Sequence, residues 1–261
     1  MAIWDTITGA LQPGNKSLFE VIMQNNESKY SAPFELAVAR GKIPGMTGLS
    51  ISGYFATVDS NWQPLWDIGG VYTYFNAAQV VRVWSSSASD TNVSVLISGL
   101  DTDYLPITET VVLTNGATGV LSTKHFLRIN SLSTTGSVNA LGTVRAGSSD
   151  KSITLAAIND GAGRSQMTLY TVPAGYTFYL TQSNFYTNQN GSQYANYRSY
   201  TQNPSGVTTK VLQFPFTTSY NSVKVVARPY AEKTDIQWQC QASVSSQIGG
   251  QIEGYLISNS I

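Results

Sequence analysis

The segment 235–244, DIQWQCQASV, constrains the fold more tightly than any other part of the chain. Ile236, Trp238, Cys240, Ala242 and Val244 alternate with Asp235, Gln237, Gln239, Gln241 and Ser243. A period of two sends successive side chains to opposite faces of a strand. One face is apolar and the other polar and nearly uncharged, which predicts an antiparallel sheet with one side on a core and the other in water. A second passage, Met167–Gln182 (MTLYTVPAGYTFYLTQ), reads as a hairpin. Two alternating runs flank Val172-Pro173-Ala174-Gly175. Proline presets φ for the second position of a turn, and glycine accepts the positive φ that β-branched residues refuse.

The same pattern recurs along the chain. Leu49–Val58, Val80–Trp84, Val93–Ile97, Thr110–Leu113 and Phe126–Ile129 read as strands separated by Gly-, Asp- and Ser-rich turns. After a joint at Gly147–Asp150 a second set follows, including Ile153–Ile158, Tyr194–Tyr200, Lys210–Phe214, Val223–Ala227 and Gln251–Ile257. Phe34–Arg40 fits a short helix or a strand. Strands do not alternate with helices, which argues against a parallel α/β fold. The expected fold is all-β, with two antiparallel β-sandwich, jelly-roll-like modules at residues 33–150 and 151–261 behind a short N-terminal arm, 1–32. In the arm, Ile3, Trp4, Ile7 and Leu11 share one face if helical, and Pro13-Gly14 stops the pattern. That face would dock on a partner or neighbouring subunit, or close the chain's own core.

Charged residues make up only 11% of the chain, against roughly 25% in a typical soluble domain. Fifteen basic residues balance 15 acidic ones. No basic cluster interleaves with aromatics, so nucleic acid is not an expected partner. No apolar run approaches the roughly 20 residues that cross a bilayer, so no membrane is expected either. The first residues, MAIWDTITGALQPGNK, lack a charged, then apolar, signal pattern. The chain is therefore expected to be made and kept on the cytoplasmic side, or assembled there into something that later leaves.

Nothing in the chain assembles a reaction centre. His125 is the one histidine. A His-based metal site would need further ligands, and a Ser-His-Asp triad would have to use this strand-like residue. Cys240 is the one cysteine. It excludes an intramolecular disulfide, and on its apolar stripe it reads as a buried, inert thiol. Gly9–Ser17 looks like a phosphate loop, but Asn15 separates Gly14 from Lys16 and Pro13 removes an amide. Asp101, Asp103 and Glu109 lack calcium-loop spacing and read as a solvated turn. No catalytic, cofactor or metal residue is assigned. Trp62, Trp66, Tyr194, Tyr197 and Tyr200 would serve as core or interface anchors, or would stack on sugars. Trp62 and Trp66 join Ile3, Trp4, Ile7 and Leu11 as candidate partner-docking residues.

One ordered set of phrases goes beyond physics. It runs Val38-Ala-Arg-Gly-Lys-Ile-Pro-Gly45, Gly53-Tyr54, Pro64-Leu-Trp66 and Ile97-Ser-Gly-Leu-Asp-Thr-Asp103. It continues with Ile107–Leu113, Phe126–Ile129, Leu169–Tyr176, Ala231–Asp235 and Glu253–Ile257. In this order the chain resembles a group of virion structural proteins of tailed bacteriophages, many from aquatic phages, over about residues 37–261. The resemblance implies a β-rich, non-enzymatic particle component with other virion proteins as partners, and it fixes no narrower place among capsid decoration, neck or collar, and tail or fibre attachment. Modest length, two sandwich-like blocks and an apolar arm fit a multimeric capsid decoration protein. A neck or tail component binding host-surface glycans is the alternative.

Overall fold

The computed structural model describes residues 33–189 and 192–260, with the backbone alone at 212 and 213. The chain divides at Gly48 into two units. In the first, Phe34–Ala39 is helical, α1, which decides the sequence ambiguity there. Pro33 precedes it with the fixed φ that suits a helix start. Gly41 follows at φ +64, its amide bonded to the Val38 carbonyl at 2.9 Å. Strand β1 (Met46–Val58) leads into the second unit.

The remaining strands are β2 (Gln63–Pro64), β3 (Gln79–Ser85), β4 (Val93–Leu100), β5 (Pro106–Leu113), β6 (Val120–Phe126), β7 (Arg128–Thr135), β8 (Val144–Gly147) and β9 (Thr154–Ile158). Then come β10 (Leu169–Thr171), β11 (Tyr176–Thr187), β12 (Ala195–Gln202), β13 (Thr208–Phe216), β14 (Ser219–Tyr230), β15 (Asp235–Ala242) and β16 (Ser246–Ser258). They form two sandwiches, as expected for an all-β chain.

One sandwich pairs the sheets β1-β16-β11-β14 and β10-β15-β12-β13, with β2 added beside β15. Leaving aside β2, its eight strands in chain order are β1 and β10 to β16. One sheet holds the first, eighth, third and sixth, and the other the second, seventh, fourth and fifth. This is jelly-roll connectivity, two interleaved Greek keys. Aromatic rings bridge the sheets. Phe178 on β11 meets Trp238 on β15 edge-on at 6.2 Å, and Phe185 on β11 meets Tyr197 on β12 at 4.4 Å. Trp238 and Tyr197 are buried among Ile236, Cys240, Ile248 and Ile252.

The other sandwich pairs β6-β3-β8-β9 with β5-β4-β7. Val81, Val83, Val95, Ile97, Phe126, Leu132, Val144 and Leu155 fill it. It is inserted between the first and second strands of the jelly roll. The cores therefore do not part at Asp150. The segment after Gly147 is a hairpin turn, closed by the Ser148 amide on the Ile153 carbonyl at 2.8 Å, and it leads β8 into its partner β9. Ile51 and Val58 of β1, far upstream, pack in the jelly-roll core instead.

Two further expectations change. Met167–Gln182 is not a hairpin. Its first arm pairs with β15, and its second with β14 and β16 in the opposite sheet. The turn bonds the Tyr176 amide to the Pro173 carbonyl, so Pro173 is its first residue and Gly175, at φ +78, its third. It carries the chain across the sandwich. Alternation specifies strands but leaves their partners open. Likewise the polar face of β15 is not wet. Asp235, Gln237 and Gln239 are all buried. Gln239 donates to the Gln237 amide oxygen at 2.7 Å and accepts from Arg198 at 2.8 Å. This chain of side-chain bonds takes the place of solvent. Val244 lies beyond the strand and is exposed.

Thr168 pins β2, β10 and β15 together. Its Oγ1 donates to the Trp238 carbonyl at 2.7 Å and accepts the Leu65 amide at 2.9 Å. Thr168→Val keeps the shape but orphans both backbone groups. It is expected to cost about 1–3 kcal/mol in chemical denaturation, whereas Thr168→Ser costs less.

Candidate functional site

Strands β4 and β5 turn through Asp101–Leu105. The Asp101 carboxylate accepts the amides of Asp103 and Leu105, each at 2.9 Å, and the Tyr104 amide bonds to the Asp101 carbonyl at 3.1 Å. A turn of this build ends with a residue in the left-handed region, usually glycine. Here that residue is Tyr104, at φ +65. Its ring lies 5.8 Å from the Arg128 guanidinium, while the Tyr74 ring lies over the same group at 4.5 Å. Between this turn and the β12–β13 turn is a cleft of about 430 Å³. Tyr74, Asn76, Tyr104, Arg128, Gln202, Asn203 and Asp235 are among its lining residues.

Arg128 begins β7 and forms a bidentate pair with Asp235 at the start of β15, both bonds 2.8 Å long. Its Nη1 donates to the carbonyls of Phe75 at 2.8 Å and Leu127 at 3.0 Å. Asp235 also accepts the Thr171 hydroxyl at 2.6 Å. Burial works against the Arg128 charge, and the hydrogen bond and charge of Asp235 more than offset it, so the guanidinium is held protonated. Burial pushes the Tyr74 hydroxyl well above its ordinary range. The floor of the cleft is thus a neutralised ion pair beneath two tyrosine rings.

The residues singled out from sequence fall elsewhere. Ile3, Trp4, Ile7 and Leu11 lie outside the described residues. Trp66 is 4% exposed, in the core of the inserted sandwich. Its indole donates to the Gly70 carbonyl at 3.2 Å and meets Tyr72 edge-on. It is therefore a packing residue with no surface to offer. Trp62 is half-buried, with the Arg198 guanidinium 4.1 Å above its ring. Tyr197 is buried, and Tyr194 is exposed. His125 is exposed on β6, opposite Val80. Cys240 is fully buried, and burial pushes its thiol up, consistent with an inert side chain. Asp101 caps its own turn. Glu109 accepts the amides of Thr123 and Lys124, each at 2.8 Å. Among the described residues no three His, Cys, Asp or Glu side chains gather as a metal site. No helix there is long and apolar enough to cross a membrane.

Sequence reading missed Tyr74, Tyr104 and Arg128. Two signals were present. The turn Asp101–Leu105 lacks the glycine its geometry favours, and Arg128 interrupts an apolar run, Phe126-Leu127 before Ile129.

No family model and no curated protein matches the chain. Among solved structures it is similar to a chain of the T13 infectious bursal disease virus particle, at 10% identity and a TM-score of 0.26, over 90% of this chain and 77% of that one. A chain from the Gt strain of the same virus is similar at 11% identity and a TM-score of 0.18, over 86% and 77%. Likeness at that level carries no argument about this protein.

Two outcomes test the site's electrostatics. Arg128→Met strands the Asp235 charge and is expected to cost about 3–5 kcal/mol by denaturation, much of it regained in Arg128→Met/Asp235→Leu. Away from the cleft, in the loop between β2 and β3, burial pushes the Asp67 carboxyl up to about 7, partly opposed by the Gln166 amide. Because the folded value lies above the ordinary 3.8, Asp67 contributes fully to stability below that value. The contribution is lost as pH rises towards 7. Melting temperatures between pH 4 and 8 are expected to fall less steeply with pH in Asp67→Asn than in the unaltered chain.

Proposed function

We propose that the protein is a non-enzymatic structural component of a tailed-bacteriophage virion, assembling as a homo-oligomeric capsid decoration protein in contact with other virion proteins. The observation that carries this reading is a jelly roll whose edge strand is dressed for contact. Jelly rolls serve in capsid and lectin domains alike, so the fold alone does not decide between them. Strand β14 does more. Its ladder with β11 steps from Arg228 opposite Leu180 to Val223 opposite Gln182. Lys224, Val225, Val226 and Ala227 thus bulge out opposite Thr181 alone. Val225 is wholly exposed, and Val223 and Val226 are 69% and 82% exposed. Exposed β-branched residues on a sheet edge invite association. The sparse charge of the chain and its ordered phage-like phrases point the same way.

In this reading the arm face of Ile3, Trp4, Ile7 and Leu11, with Trp62, adds further contact to neighbouring subunits. Specific contacts of that kind bury upwards of roughly 1,000 Å². The alternative, a neck, collar or tail-attachment protein that engages host glycans, is favoured by the tyrosine-lined cleft.

Quantitative mass spectrometry of purified particles is expected to find hundreds of copies per virion. About a dozen copies would instead assign the protein to the neck. Val225→Asp/Val226→Asp, and separately deletion of Met1–Leu11, are expected to lower occupancy without unfolding the chain, as read by circular dichroism. Full occupancy in both would remove the roles given to edge and arm.

A further inference from the structure

We infer that the cleft between Tyr74 and Tyr104 is a binding site for a neutral saccharide. The inference goes beyond the virion role and holds wherever on a particle the protein sits. Three observations carry it. The first is the backbone cost at Tyr104. A bulky side chain at positive φ is uncommon, and such strain collects at ligand clamps. Glycine would satisfy the Asp101–Leu105 turn without strain, and the Ala174 amide that bonds the Tyr104 carbonyl at 2.9 Å asks only for backbone. The tyrosine is therefore retained for its ring, which borders the cleft.

The second observation is the charge state of the floor. Four hydrogen bonds from Arg128 are already committed, two to Asp235 and two to carbonyls. An anion entering here would gain little from Arg128 and would meet Asp235. A cation would meet the reverse. The site thus selects against both charged classes and suits a ligand with none.

The third is the kind of groups that remain. The Tyr104 ring and the rim of Tyr74 border the space, and Asn76 and Gln202, with the Asn203 amide nitrogen, offer polar groups around it. Apolar ring faces with hydroxyls around the rim are the chemistry of a pyranose. A volume of about 430 Å³ lies within the usual range of small-molecule sites.

The test uses the full chain on an array of neutral, sialylated and sulfated oligosaccharides, followed by calorimetric titration of the strongest neutral glycan. Binding to neutral glycans is expected. Tyr104→Gly should weaken it by about tenfold or more, while the melting temperature holds or rises because the turn is relieved. Tyr104→Asn, which also tolerates positive φ, and Gln202→Ala serve as second variants should Tyr104→Gly fail to fold. A silent array, preference for sialylated or sulfated glycans, or unchanged affinity in the folded Tyr104 variants would each overturn the inference. These outcomes leave copy number per virion untouched, so the site and the structural role fail independently.

Discussion

The paired charges of Arg128 and Asp235 hold the architecture together, because they join strands of different sandwiches. Arg128 belongs to the inserted sandwich and Asp235 to the jelly roll. The neighbouring contacts follow the same logic. Asn130 on β7 donates to the Thr171 carbonyl at 3.0 Å and accepts the Thr171 amide at 2.9 Å, imitating a peptide group. Ser165 accepts the Leu132 amide through its hydroxyl at 2.9 Å. Side chains thus replace the ladder bonds that β7 and β10 would otherwise lack. An apolar seam would tolerate sliding, whereas these bonds accept one register only.

That seam also explains the cleft. Two turns, one from each sandwich, overhang the buried pair, and neither sandwich alone would enclose the space. The shape of the site therefore depends on the same bonds that fix one module against the other. Strain at Tyr104 is sustained by the turn bonds on both sides of it and by the Ala174 amide.

Much of the fold was legible in the residues. Alternation located most strands, and the uncharged polar surface and turn chemistry pointed to sandwiches. Two things were hidden for a physical reason. Periodicity reports which face of a strand is apolar but not which strand it meets, so Leu169–Thr171 and Tyr176–Gln182 looked like partners while lying in opposite sheets. It also equates polar with wet, which fails for Gln237 and Gln239, because Gln239 donates to Gln237 and accepts from Arg198. A tryptophan in a loop reads alike whether it points out or in, and Trp66 points in. The cleft was the least visible part, since its residues come from turns far apart in sequence and meet only through Arg128 and Asp235.

The place of β1 bears on the order in which the chain can fold. Its sheet neighbour is β16, at the other end of the described chain. During synthesis β1 must wait unpaired until nearly two hundred further residues have emerged. The inserted sandwich closes entirely within residues 66–169 and can form in that interval. Pairing over so long a separation is entropically slow. An insert closed on itself brings its two ends together, which shortens the loop β1 must close to reach its partner.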